Sequence, residues 1–286
     1  MKTGKKIPER IYRPLPQRRK QTGWRRLFVL PVLAAWLLIW QAAYLIIGQD
    51  LLLASPLQVL LRLAGLLRQG AFWHTALMSL LRIQTGFLIG LVLGTLLAVG
   101  TVRLIWLDRF LAPAIGAIRS TPVASFIILA LVWMSSGRVV VFIVVLMVLP
   151  IVWGNVTEGI RKTDPHFLEM AHVFRLKPAV VLRVIFLPSV MPFFVSAAIT
   201  SLGLGWKAGI AAEVLSRPPL SLGGRLYDAR IYLDTVDLLA FTGVVIGLSL
   251  LLEQLLLYIL RLAGQYFRRH GRMGNTARPA GKGADA

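Results

Sequence analysis

The sequence of 286 residues contains no cysteine, which excludes disulfides and thiolate metal sites and leaves the compartment open. Charge is scarce: only 15% of residues are Asp, Glu, Lys or Arg, too few to coat the surface of a soluble fold of this length. Acids are the scarcer sign, 12 against 32 basic residues. No G-x-x-x-x-G-K-[ST] run occurs; Gly281-Lys282 lies in a polar tail without the pattern, so the chain does not cradle ATP phosphates in that way. The four histidines, His74, His166, His172 and His270, have no ligand spacing. Ser135 and Ser136 have no histidine partner of obvious geometry, which argues against an intramembrane serine protease. These absences predict no catalytic residues, no metal and no cofactor.

What is abundant is apolar. Hydrophobic residues make up 57% of the chain, against about 45–50% in an ordinary soluble domain, and the mean hydropathy is +0.72. The excess falls in long runs, and a helix needs ~20 apolar residues to cross the hydrocarbon core. The runs predict an all-α polytopic membrane bundle of about six spans: roughly 27–47, 83–102, 113–134, 139–156, 185–210 and 238–262. Pro122 is expected to bend or break the third. Ser55-Pro56 reads as an N-cap and first-position proline. The helix that follows carries Gln58, Arg62, Gly65 and Gln69 as one polar stripe, expected to face water from the interface. In the second span Gly86, Gly90, Gly94 and Ala98 recur every four residues, a ridge on which another helix backbone can pack closely.

The net charge of +20 is concentrated in the tails, 1–26 and 263–286, which flank apolar spans. That distribution points to anionic lipid and the cytoplasmic face, not to nucleic acid. The segment 158–184 between the fourth and fifth spans is also basic, with Arg161, Lys162, Arg175, Lys177 and Arg183 outnumbering Glu158, Asp164 and Glu169. The positive-inside rule therefore places both tails and this loop in the cytoplasm of a multi-pass protein of the cell membrane. Arg62 and Arg68 run against the rule and are assigned to the interfacial helix. Lys207, with Trp206 beside it, is the main ionisable residue within a span, and the two are candidates for a pathway. Arg119, at the start of the third span, is read as interfacial.

The most informative segment is Asp164 to Pro192. Asp164-Pro165 starts one short helix, running to about Phe174, and Lys177-Pro178 starts a second. A large loop ordered in this way usually docks on something. The segment resembles the EAA loop of the transmembrane subunits of binding-protein-dependent ABC importers. Glu169-Met170-Ala171 stands for Glu-Ala-Ala, Arg175 for the following glycine, and Ile185-Phe186-Leu187-Pro188 for the apolar-x-Leu-Pro ending. The similarity extends through Ser79, Arg82 and Gly86, through Gly159, and through Gly203, Trp206 and Glu213, and is strongest with nitrate/sulfonate/taurine-type permeases. It implies a permease domain over 27–262 that works with cytoplasmic ATPase subunits, a second permease subunit as a homodimer, and an extracytoplasmic solute-binding protein. It further implies that the loop is a coupling helix: Asp164 caps it, Phe167, Leu168, Ala171 and Phe174 pack in a groove of the ATPase, Glu169 pairs with a basic residue there, and Arg175 forms the turn. Because arginine resists the φ > 0 that glycine allows, the turn is expected to change shape. The implied cargo is a small anion such as a sulfonate, taurine or nitrate. An ion-coupled carrier is the alternative, and a membrane assembly factor a third; paired midplane acids, which a carrier would want, are missing.

Overall fold

The computed structural model describes the backbone of residues 24–272 and the side chains of residues 31–262. Residues 1–23 and 273–286 of the two basic tails lie outside the described residues. Among the described residues all regular structure is helical. The chain divides into two units, Met1–Pro56 and Leu57–Ala286.

The described part of the first unit is α1 (Trp24–Ile47), followed by a turn at Gly48, whose φ of 64° is easy for glycine. The Trp40 indole donates to the Ala54 carbonyl at 3.1 Å, tying the segment after the turn back to the helix.

In the second unit, α2 (Pro56–Leu67) follows the predicted proline start. Arg62 and Gln69 of its polar stripe are exposed, and Val59 and Leu66 are buried. The Arg62 guanidinium is bound to the Asp237 carboxylate by two hydrogen bonds, while Leu57, Leu60 and Leu61 point outward at 56–65% exposure. Arg62 ties the stripe to Asp237, and exposed leucines lie beside it. Leucine that faces lipid and leucine that faces a core read alike in sequence.

Among the described residues four helical stretches are long and apolar enough to cross a membrane: α3 (Gly70–Arg103), α6 (Ser136–Arg161), the stretch Pro178–Ser216, and residues Thr235–Leu262 of α11 (Thr235–Arg272). The third predicted span is not one helix. It is α4 (Ile105–Ser120) and α5 (Val123–Leu131), bent by 101° at Thr121-Pro122, and this pair makes a fifth crossing if counted together. The remaining expected span corresponds to α1, a helix of 24 residues, long enough for a crossing that needs about 20. The stretch Pro178–Ser216 begins as α8 (Pro178–Val181), passes through a π turn at Leu182–Phe186 and continues as α9 (Leu187–Ser216). Pro188 has no N–H to give, and the Leu187 N–H reaches five residues back to the Leu182 carbonyl, the widened spacing of a π turn.

The core is α6 held between α3 and α9. Val140, Val144, Val148, Val152 and Val156 run down α6 at four-residue spacing and are all at most 1% exposed. Gly86, Gly90 and Gly94 of α3 lie against this row: a Cβ added there would come within 2.7–2.8 Å of the Cβ of Val144, Val148 and Val152 respectively. Ala98 continues the ridge, fully buried. From the other side, a Cβ on Gly205 or Gly209 of α9 would meet Val148 and Val144 side chains at 3.0 Å. Bare backbone on both flanks lets the valines fill the gap, since packing and not hydrophobic transfer drives helix association in lipid. We expect Gly90→Leu to force α3 off α6 and to destabilise the bundle by about 1–3 kcal/mol or more, the cost of overpacking. Thermal unfolding of the purified protein in detergent measures this, and an unchanged midpoint would refute close packing at this ridge.

Candidate functional site

Two polar regions stand at opposite ends of the bundle. At one end is the segment after α6. The Asp164 carboxylate accepts from the His166 N–H at 2.9 Å and caps α7 (Pro165–Val173), with Pro165 at the first helical position. The helix is closed by a two-bond stop: the Leu176 N–H bonds the Ala171 carbonyl at 2.9 Å and the Arg175 N–H bonds the His172 carbonyl at 3.0 Å. This is a Schellman arrangement, which requires a left-handed residue at the position of Arg175. Arg175 adopts it, with φ 48°. The turn therefore keeps its shape despite the missing glycine, contrary to the sequence expectation, and the arginine bears a conformational cost of about 1–2 kcal/mol.

The faces of α7 divide cleanly. Ala171 is 5% exposed and, with Leu168, Leu176 and Phe186, lines a cleft within this chain that reaches Arg103. Phe167, Met170, Val173 and Phe174 form the opposite arc, at 45–76% exposure. Glu169 lies exposed beside His166, 3.6 Å away. Of the apolar residues picked from the sequence, Phe167 and Phe174 face outward, while Ala171 is used internally. Met170 and Val173 belong to the outward arc and were missed, although a helical wheel from Asp164 places them there.

At the other end, α9 ends in a loop, 217–221, that leads into α10 (Leu222–Ile231). Glu213 of α9 is fully buried. Its carboxylate accepts from Ser79 Oγ at 2.8 Å and from the Gly223 N–H at 3.1 Å, and faces Arg82 Nη1 at 3.5 Å. Ser79 Oγ in turn accepts from the Leu222 N–H at 2.9 Å. Arg82 also donates to the carbonyls of Pro219, at 2.6 Å, and Leu220, at 3.0 Å. Three side chains from α3 and α9 thereby hold the first turn of α10. Gly223 permits the approach, because a Cβ there would collide with Glu213 and sit 2.6 Å from the Val214 nitrogen. In the sequence Ser79 and Arg82 stand far from Glu213; the signal that groups them is polarity at helix ends that are otherwise apolar.

Trp206 and Lys207 diverge. Trp206 is 2% exposed and its indole donates to the Val245 carbonyl at 3.2 Å, a packing role between α9 and α11. Lys207 is exposed. Arg119, read as interfacial, is exposed, and its guanidinium reaches α6 and donates to the Pro150 carbonyl at 2.7 Å.

The sequence pattern of the binding-protein-dependent transport system inner membrane component family matches residues 86–263, more than half of the chain. The chain belongs to this family. Among curated relatives, the bicarbonate transport system permease protein CmpB of Synechocystis is 30% identical over 203 residues, covering 69% of this chain and 71% of the relative. A putative aliphatic sulfonates transport permease protein, SsuC of Bacillus subtilis, is 26% identical over 80% of this chain and 82% of its own length. The nitrate import permease protein NrtB of Synechococcus elongatus is 26% identical over 69% and 74%. Among solved structures, the inward-facing MetNI methionine ABC transporter aligns with a TM-score of 0.53 at 19% identity, over 66% of this chain and 93% of that one. An amino acid ABC transporter gives 0.52 at 17% identity, over 68% and 91%. These two show the fold of this inner membrane component, an all-α permease bundle, and agree with the resemblance read from the 164–192 segment.

Proposed function

We propose that this permease forms the translocation pathway of an ATP-driven importer for a small anion and receives the power stroke from a separate ATPase through α7 and the turn at Arg175. The observation that carries the reading is the outward arc Phe167, Met170, Val173 and Phe174 on a helix capped at both ends. A floppy loop would absorb motion, whereas a helix with a fixed start and stop passes it on. An apolar arc on an otherwise polar loop has no use in water and fits a groove in another protein. The anion class is supported by the names of the relatives above, which are described as permeases for bicarbonate, sulfonates and nitrate. The remaining partners are a second copy of this chain across the exposed faces of α4 and α5 and a binding protein on the α10 side.

Affinity purification of the tagged chain from its native membrane tests the reading: a nucleotide-hydrolysing subunit should accompany it in stoichiometric amount. Purification of the chain alone, with uptake driven by an ion gradient, would establish the ion-coupled carrier in its place.

Orientation follows from the charge bias and is separately testable. Lys177 is exposed at the α7 end and Tyr232, at 81% exposure, at the α10 end. With no native cysteine, Tyr232→Cys should react with an impermeant thiol reagent outside intact cells, and Lys177→Cys only after permeabilisation. Labelling of Lys177→Cys in intact cells would invert the topology. Ser221 is unsuitable as a reporter, being 3% exposed and the cap of α10.

A further inference from the structure

Arg119 lies on the last turn of α4, directly before the 101° break at Thr121-Pro122. It reaches α6 at Pro150, the fifteenth of that helix's 26 residues. At about 1.5 Å per residue, this contact is some 16–21 Å from either end of α6, near the middle of a crossing whose hydrocarbon is about 30 Å thick. Gly154, one turn further on α6, makes the room: a Cβ there would stand 2.8 Å from Arg119 Nη2. Among the described residues no carboxylate lies within ion-pair distance of Arg119; the acids that do pair are Asp237, Glu213, Asp108, Glu158, Glu169 and Asp228, all with other partners. The single hydrogen bond to a carbonyl leaves most of the five guanidinium donors unused. The residue is also exposed, as are Ser120 and Ser125 on either side of the break.

A cation at mid-depth with no counter-charge is too costly to leave against lipid. It requires water or an anion. We propose that Arg119 is the anion-attracting side chain of the translocation pathway, presented at mid-depth by the break between α4 and α5. The break supplies the geometry: a straight helix would carry the chain past α6, whereas the bend exposes Arg119, Ser120 and Ser125 together. The Pro150 carbonyl and the space at Gly154 hold one end of the guanidinium against α6, and its remaining N–H groups have no protein acceptor among the described residues. The ligand class is a small monovalent or divalent oxyanion, for which a planar guanidinium offers paired donors. This inference rests on the reading of the chain as an anion permease.

The test uses the assembled transporter in proteoliposomes with one introduced cysteine, Ser120→Cys. Its reaction rates are measured with the anionic sulfonatoethyl and the cationic trimethylammonium-ethyl methanethiosulfonates. The anion-to-cation rate ratio should exceed that of a free thiol about tenfold, as one nearby positive charge in a partly hydrated site would give. Adding Arg119→Gln should abolish the excess, while Arg119→Lys should keep it; glutamine can still donate to the Pro150 carbonyl, so the fold contact survives. Uptake of nitrate, bicarbonate and ethanesulfonate is measured in parallel. For whichever is carried, Arg119→Gln should raise the KM at least tenfold at unchanged membrane abundance. A thiol unreactive to both reagents, a ratio no higher than the free thiol's, or a ratio and KM indifferent to Arg119→Gln would each overturn the proposal. If none of the three anions is carried and no ATPase accompanies the chain, the transport reading fails on its own, and the reagent ratio still decides the role of Arg119.

Discussion

Phe174→Asp should leave the permease folded and in the membrane at normal abundance, yet cut its retention of an ATPase at least tenfold. The side chain is 70% exposed, so the chain's own core loses little. In a groove, burying a phenylalanine contributes about 1.5–3 kcal/mol, and an aspartate there adds an unpaired charge, so a tenfold loss, about 1.4 kcal/mol, is a lower bound. Ala171→Pro acts differently. Ala171 is buried in this chain and its carbonyl takes the Leu176 N–H that closes the helix. A proline there breaks α7 at a cost of about 3 kcal/mol or more and should abolish both transport and ATPase retention. Glu169→Ala, which removes an exposed charge, should only weaken them. Quantitative pull-down from solubilised membranes, with uptake in cells, measures all three variants. Normal transport and normal retention in Ala171→Pro would end the coupling role of the segment and advance the carrier.

The helix starts of this segment were legible because they are local. Asp164-Pro165 and Lys177-Pro178 each contain their own cap and dihedral constraint, and the structure begins α7 and α8 there. The break at Pro122 was legible for the same reason. Which face of α7 looks outward was only half legible: the sequence marks Phe167, Leu168, Ala171 and Phe174 alike as apolar, and only the fold reveals that Leu168 and Ala171 are taken up by the cleft with Leu176 and Phe186. The same ambiguity holds in α2, where Leu66 is buried and Leu57, Leu60 and Leu61 are exposed, since in a membrane apolarity does not distinguish inside from outside. The contact of Arg119 with Pro150 was not legible, because it depends on how α4 packs on α6, which no pattern along the chain encodes. Arg175 shows the converse error: a residue that disfavours φ > 0 still adopts it when two hydrogen bonds and the proline-started helix after it demand the turn.

Glu213 is the other place where tertiary structure sets the meaning of a residue, and its removal should cost more than that of any exposed charge in the chain. In Glu213→Ala three groups lose their acceptor or counter-charge at once: the Ser79 hydroxyl, the Gly223 N–H and the Arg82 guanidinium. Deleting one member of a buried charged pair costs about 3–5 kcal/mol. Arg82 is 15% exposed and keeps its bonds to the Pro219 and Leu220 carbonyls, which places the expectation near the lower end, about 3 kcal/mol. Glu213→Gln can keep an oxygen for Ser79 and Gly223 but turns its amide NH2, a donor, toward Arg82 in place of the second carboxylate oxygen, so its cost should be smaller than that of Glu213→Ala but not negligible. The loss should be felt first between α9 and α10. There Arg217 and Leu220 hold φ values of 48° and 51°, conformations that non-glycine residues adopt at about 1–2 kcal/mol each and that the Arg82 bonds and the buried carboxylate hold in place. Hydrogen exchange of the detergent-solubilised protein is the measurement. In Glu213→Ala, the amides of Arg217 and of residues 220–224 should lose protection well before the valine row of α6 does, with Glu213→Gln in between. Uniform protection across the wild type and both variants would mean that the carboxylate does not organise α10, and that the loop is held by the α9 backbone and Gly223 alone.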